Sequence, residues 1–562
     1  MKEFMITAEK SQRVSRSIGE LVRHPWRLAA VALLMFLFSV NVYRAATQAI
    51  THDEAVTWEW LPFSGGTSVS QFFDSTTANH HPLHNLLAKL SADLFGLSEF
   101  SLRIPSLLGG LFYFYTVYLT SAFLFGEGFL FLLSVALLSL NPFLLDYLSC
   151  SRGYASGLGF LLFAIYEAMR YLSLTWNQHE PRRPTRILNF IGVAVGLAVG
   201  FNVVMIFPCA AVTAAFLVIL FGDRMISAPE PVETAVPAHN SKKKKQSKRK
   251  LERASGMPVG RNLGQAMLHF VLPAVVVGGF IVSLPRSLIY LEVGYEGPPS
   301  LRAILEGIVR PSYLHSPRGG LGLATWFSPE FGIRMVTDFV IPVGLVALIV
   351  IAIRIVYNWI ERRRLDELPI IDRFLLLLSL AMPAALVLIM ASRYIFHAPY
   401  PEQRTVLYWI PLLGLTSLSM MKWLNDTGRT GRILAVPVGA FVVLSIAQFV
   451  TQFNTRYYSE WAYCAATKDI MAIIRDQHAA RAGDKIRLGV TWQLEPGVNF
   501  YRTTWGLDWL NKVERESPDG DNDYYILLFN DTELVERRGL KVLLQDKLSG
   551  AVLAAPARSR AS

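Results

Sequence analysis

The residues best placed to do chemistry are Asp53 and Glu54, set in Thr51-His52-Asp53-Glu54-Ala55-Val56-Thr57-Trp58-Glu59-Trp60 directly after the first long apolar run. Neighbouring side chains in a helix or an extended chain cannot both aim at one atom. One carboxylate should therefore face a reacting group while the other meets a support or a metal. Mutual repulsion and partial burial should raise at least one of their pKa values, which favours a general base. Position alone leaves room for a plainer account, a helix end meeting water.

A second set of groups follows in His80-His81-Pro82-Leu83-His84. Three imidazoles so close together could hold a metal, but Pro82 permits a regular helix only if the helix begins there. A divalent cation is thus an open candidate, beside substrate hydrogen bonding and structure. His397 and Glu402 belong with these histidines as substrate or metal candidates. Arg103, Arg152, Arg393 and Arg404 each stand at the margin of an apolar segment, joined by Tyr154 and Tyr394. Guanidiniums clustered at a lipid surface suit a phosphate, which arginine clamps through two parallel bonds. Trp58, Trp60 and Tyr400 read as interfacial anchors.

The elements that must position these groups are membrane helices. Of the 562 residues 52% are hydrophobic and only 17% charged, and apolar runs recur at the length needed to cross a hydrocarbon core of about 30 Å. The net charge of +11 is concentrated between those runs, above all in Lys242-Lys243-Lys244-Lys245 and Lys248-Arg249-Lys250. That is a topology signal, so nucleic acid is not expected as a partner. Cys150, Cys209 and Cys464 form no disulfide framework by spacing, although Cys150 and Cys464 would face the same side. Basic residues before Leu28 place the N-terminus in the cytoplasm, and an uncleaved first helix is preferred to a signal peptide.

Counting crossings from there predicts about eleven spans. Ile104 to Phe125, Phe129 to Leu145 and Ala155 to Leu172 are single crossings, and Ile187 to Phe221 is a tight pair turning near Phe201-Asn202 or at Pro208. Outer loops cover residues 51–103 and 291–333, the first holding interfacial helices, and a basic cytoplasmic linker covers 222–265. The membrane part ends near residue 452. Residues 453–562 form a small extracytoplasmic α/β domain, with a helical pattern over Trp461 to His478 and buried strands at Ile486 to Trp492 and Tyr524 to Phe529. On this count every polar cluster named above faces outward.

The order of these motifs resembles the GT-C glycosyltransferases, in particular the protein O-mannosyltransferase and aminoarabinose lipid A transferase group of family 39. The resemblance rests on the acidic pair, the His-Pro-Leu element, Leu102-Arg103-Ile104-Pro105-Ser106-Leu107-Leu108-Gly109, Ser151-Arg152-Gly153-Tyr154-Ala155, and the stretch from Pro399 to Pro411 with Glu402, Arg404 and Tyr408. His81-Pro82-Leu83 departs from the common His-Pro-Pro form. The resemblance implies a hexosyl- or pentosyl-type transferase of the bacterial inner membrane. It would move a sugar from a polyprenyl phosphate to a lipid, glycan or protein acceptor at the extracytoplasmic face, with inversion. Asp53 would be the base, Glu54 its assistant, and the arginines would hold the phosphate. A transporter or lipid flippase is the alternative, but it should show internal repeats and ionisable groups at mid-membrane. A silent scaffold would not need the acidic pair with four outward arginines.

Overall fold

The computed structural model describes residues 24–60, 81–174, 182–226, 263–283, 298, 300–314, 329–479 and 485–557. Among them eight helices are long and apolar enough to cross a membrane: Pro25–Thr47, Glu99–Phe125, Pro184–Phe201, Val203–Ile226, Gly264–Ser283, Glu330–Arg362, Ile370–Ile395 and Arg429–Thr451. Helices are the expected form because lipid offers no partner to a free backbone N–H or C=O. Many of their apolar residues stay uncovered by protein, for instance Val346, Ile349, Ile353 and Tyr357 along one helix. In a bilayer that face would meet lipid tails.

The helices that carry the site are α1 (Pro25–Thr47), α2 (His52–Trp60), α3 (Pro82–Phe95), α4 (Glu99–Phe125), α5 (Phe129–Ser139), α6 (Pro142–Tyr147), α7 (Tyr154–Leu172), α8 (Arg182–Phe201) and α9 (Ile206–Ile226). The expected return from Phe129 to Leu145 does bring the chain back to Glu54, where Ser151 N lies, but as two helices and not one. At about 1.5 Å per residue α5 is far shorter than the hydrocarbon core. It stops at Leu140, where Asn141 accepts a hydrogen bond from Leu144 N and Pro142 opens α6. α7, expected as a crossing, is helical but falls outside the eight and carries Glu167 and Arg170; the helix Trp409–Asp426, with Lys422 and Asp426, falls outside them too. The pair between Ile187 and Phe221 turns at Asn202, whose side chain accepts from Val204 N.

α3 begins at Pro82 and leaves Leu90, Leu94 and Phe95 exposed, the pattern of a helix lying in an interface. Of the basic linker expected over 222–265, residues 227–262 lie outside the described residues while both ends belong to helices, and about half of the second outer loop lies outside them as well.

The C-terminal region carries a four-stranded sheet of β1 (Leu488–Val490), β2 (Tyr524–Leu527), β3 (Leu540–Gln545) and β4 (Val552–Pro556) in the order β1-β2-β4-β3. β1 and β2 are parallel and the other pairs antiparallel. The expected buried strands are β1 and β2. The helical pattern from Trp461 divides into a tight turn, Ser459–Cys464, and the helix Thr467–Ala479. Residues of this region share one hydrophobic core with the helices, Tyr458, Trp461 and Val498 joining Ile50, Ala55 and Leu144.

Candidate functional site

α2 is a short helix, so Asp53 and Glu54 diverge by about 100° around its axis. Glu54 turns inward and is fully buried. Its Oε1 accepts from Arg103 Nε at 2.9 Å and Ser151 N at 2.6 Å, and its Oε2 accepts from Arg103 Nη2 at 2.7 Å and Thr51 N at 2.9 Å. A carboxylate offers about four acceptor sites, and all are filled. Burial alone would raise its pKa, but the Arg103 charge and these bonds carry it below the usual carboxylate range.

Arg103 is equally committed. Besides Glu54, its Nη1 donates to the carbonyls of Ala45 at 3.2 Å and Gln48 at 2.8 Å, and its Nη2 donates to Ala49 at 2.8 Å. All five N–H groups are used, and the side chain has no exposed surface. Arg103 therefore caps the free carbonyls at the end of α1 and locks α2 to α4. This corrects two expectations. Arg103 has no donor left for a phosphate, and Glu54 no acceptor left for substrate.

Asp53 faces the other way. Its Oδ2 lies 2.9 Å from Arg404 Nη2 and 3.3 Å from Arg152 Nη2. Burial pushes this carboxyl up, but Arg152, Arg404 and His52 together hold it below its ordinary value. The raised pKa expected from two adjacent acids is thus reversed, because each acid has its own arginine partners. Arg152 reaches Asp53 through the turn before α7. Gly153 stands there in a left-handed conformation (φ 67°), and a Cβ on it would lie 2.4 Å from the Phe201 carbonyl oxygen. Only glycine fits that turn.

Arg404 comes from the turn Gln403–Val406. Its Nη1 donates to Glu460 at 2.8 Å, and its guanidinium sits 5.5 Å from the Trp461 ring centre. The Arg404 charge is held well above its usual pKa; burial opposes this, and Asp53 and Glu460 outweigh it. Glu460 also accepts from Tyr147. Tyr154 is buried against Tyr147, with ring centres 5.0 Å apart, and against His81 at 5.7 Å.

His84 is buried with Nε2 3.0 Å from Ser151 Oγ. Since that hydroxyl donates to the Leu102 carbonyl at 2.7 Å, Nε2 must be the donor. Burial, reinforced by the Arg152 charge, lowers the His84 pKa to about 3. It is a neutral strut between α3 and the Ser151 turn. His80 lies outside the described residues. Among the described residues no group of three or more His, Cys, Asp or Glu side chains is arranged to hold a metal ion.

Arg393, Tyr394 and His397 are exposed at the end of the helix Ile370–Phe396, where Arg393 lies 5.7 Å from the Tyr400 ring centre. No contact among the described residues joins them to Asp53. Glu402 lies between the two groups; burial and the nearby Glu460 charge raise its pKa, against the pull of Arg404. The three cysteines are free and buried, so Cys150 and Cys464 are not paired.

Sequence reasoning missed Arg44, Asp146, Tyr458 and Glu460. Arg44 and Asp146 form a buried ion pair, and Arg44 also donates to the Tyr457 carbonyl at 3.2 Å. Asp146 accepts from Ser459 N at 2.7 Å. Tyr458 lies under both Arg44 and Arg103, at 4.9 and 5.2 Å. Arg44 could have been found by the argument that singled out the other outward arginines. Glu460 lies in an ordinary polar stretch that carries no signal.

Residues 79–236 match the family model for dolichyl-phosphate-mannose-protein mannosyltransferase. That segment holds the His-Pro-Leu element, Leu102–Gly109 and Ser151–Ala155, but neither the acidic pair nor Arg404. It agrees with the GT-C resemblance read from the motifs. Similar solved structures include ArnT from Cupriavidus metallidurans bound to undecaprenyl phosphate, at 13% identity and TM-score 0.38, covering 95% of this chain and 98% of that one. The oligosaccharyltransferase AglB from Archaeoglobus fulgidus, in complex with an inhibitory peptide and a dolichol-phosphate, is similar at 12% identity and TM-score 0.40. The likeness covers 84% of this chain and 63% of AglB. No curated protein matches the chain at a significant level.

Proposed function

We propose that the protein is an integral membrane glycosyltransferase that moves a sugar from a polyprenyl phosphate to an acceptor hydroxyl at the extracytoplasmic face. The observation that carries this reading is the Asp53 carboxylate with Arg152 and Arg404 on one oxygen, supplied by three separate segments. A base beside two cations is what transfer from a phosphate ester needs. The acceptor oxygen attacks the anomeric carbon and gives its proton to Asp53. The bond from that carbon to the phosphate oxygen breaks, and the leaving polyprenyl phosphate takes the electron pair. Arg152 and Arg404 stabilise the charge that grows on it. Attack opposite the leaving group inverts the anomeric centre.

The match over residues 79–236 supports this class of donor, and so does an apolar cavity of about 140 Å3 lined in part by Val309, Leu345, Leu348 and Ile410. It adjoins the site through the helix Leu301–Tyr313, whose Gly307 packs against Gln403. The test is sugar transfer in membranes from a polyprenyl phosphate donor. Asp53→Asn should lower the rate by about a hundredfold or more, the usual scale of a lost general base. Full activity in folded Asp53→Asn protein would sink the assignment.

A further inference from the structure

The two acids of α2 hold their arginines in different ways, and the difference bears on how the site switches on. Arg103 grips Glu54 with a two-point fork and has every donor filled. Asp53 meets its two arginines at Oδ2, with Arg404 Nη2 at 2.9 Å and the Arg152 contact long at 3.3 Å, and it also accepts from the Trp461 side chain. Arg404 divides its two terminal nitrogens between Asp53 and Glu460. If Nη2 leaves Asp53, Glu460 still anchors the guanidinium. Arg152 in turn has Thr57 Oγ1 at 3.5 Å from Nη1. The Asp53 contacts are the exchangeable ones, and the groups holding the arginines in place are independent of Asp53.

We infer that Asp53 is masked in the free protein, and that the phosphate of the incoming donor unmasks it by drawing Arg152 and Arg404 onto itself. The inference rests on the proposed reading, in which these arginines receive the phosphate. Charge supports it. Asp53 and Glu460 are balanced by Arg152 and Arg404, while Glu54 and Arg103 balance each other apart. Among the described residues the further cation that acts on His52, Arg515, is paired with Glu495 at 3.5 Å. Burial lowers the pKa of His52 and His84, and Glu402 adds only negative charge. His81, Trp461, Tyr463 and Cys464 complete the surroundings. A phosphodiester entering this set brings one uncompensated negative charge, which raises the proton affinity of the ionised Asp53. Asp53 would thus be a poor base until donor is bound and a good one afterwards, so that an acceptor hydroxyl is activated only where a sugar is ready to receive it.

The test measures binding of a prenyl methyl phosphodiester, which carries one fixed charge and no sugar, to the full-length protein in nanodiscs, read by tryptophan fluorescence. Asp53→Asn should bind it about tenfold to a hundredfold more tightly than the wild type, the worth of the ion pairs that no longer compete. In an Arg404→Gln background the same change should give a gain of only about threefold or less. Unchanged or weaker binding by Asp53→Asn overturns the inference, and so does an equal gain in both backgrounds, which would reflect general charge alone. Should Asp53→Asn fail to fold, the diester affinity of the wild type followed from about pH 7.5 to about pH 5 serves instead. A proton on Asp53 frees the arginines, so affinity should rise as the pH falls, and a flat or falling affinity would overturn the inference. Tighter binding by an Asp53→Asn protein that still transfers sugar would sink the base assignment and leave the masking intact.

Discussion

Replacing Arg103 by alanine separates a structural guanidinium from a phosphate ligand. The side chain has no exposed surface and makes five hydrogen bonds, two to Glu54 and three to the carbonyls of Ala45, Gln48 and Ala49. Its removal leaves a buried carboxylate with two of four partners and three carbonyls with none. Breaking a buried pair in this way costs about 3–5 kcal/mol, a large part of the roughly 5–15 kcal/mol that holds a folded domain together. Arg103→Ala should therefore yield little folded protein, with a thermal midpoint several degrees below the wild type in detergent. Arg103→Lys, with three donors in place of five, should recover part of the loss. The same pair predicts acid sensitivity. Because the folded Glu54 pKa is depressed, its contribution is present in full above the unfolded value near 4.5 and is lost as the pH falls further. An Arg103→Ala protein with a wild-type midpoint but abolished sugar transfer would refute this reasoning and return Arg103 to the substrate.

His84 gives a second pH signature. Its folded pKa of about 3 lies below the unfolded 6.5, so stability falls as the pH drops from about 6.5 towards 3, by at most about 1.4 kcal/mol per pH unit; His84→Gln should flatten that slope in a pH series of thermal midpoints. Gly153→Ala places a Cβ against the Phe201 carbonyl in a left-handed turn, so the turn delivering Arg152 should shift and transfer should fall at least tenfold, measured beside a thermal midpoint. The free, buried cysteines should resist a water-soluble maleimide in the folded protein and react after denaturation, and activity should not respond to reductant.

The sequence made the membrane helices legible because apolar length is a local property, and it made the acidic pair and outward arginines visible as charges where charge is costly. It did not reveal which arginine serves which acid. Arg103, Arg152 and Arg404 have the same chemistry and similar positions at segment ends, and only the folded chain shows the first saturated by α1 carbonyls and the others converging on Asp53. The return expected from Phe129 to Leu145 is made by two helices, for a local reason that hydropathy averages away. Asn141-Pro142 is a helix start inside an apolar run. The arginine, tyrosine and histidine of Arg393 to His397 lay close to Arg404 in sequence, yet a helix end left-handed at His397 leaves them exposed.

The C-terminal region was legible as a separate small domain, and its contacts make that separation incomplete. His52 donates from Nδ1 to the Gln493 carbonyl at 2.7 Å, Tyr501 accepts from Ile50 N at 2.9 Å and donates to Glu99 at 3.0 Å, and Lys468 pairs with Glu99 at 2.8 Å. Glu460 then holds Arg404 over Asp53. The residues just before, after and opposite the acidic pair are thus fixed by groups from beyond residue 452. The arrangement at Asp53 is a joint product of the helices and this region. A change that loosened the C-terminal region would act on the site first through Arg404, because that guanidinium has one nitrogen committed to each side.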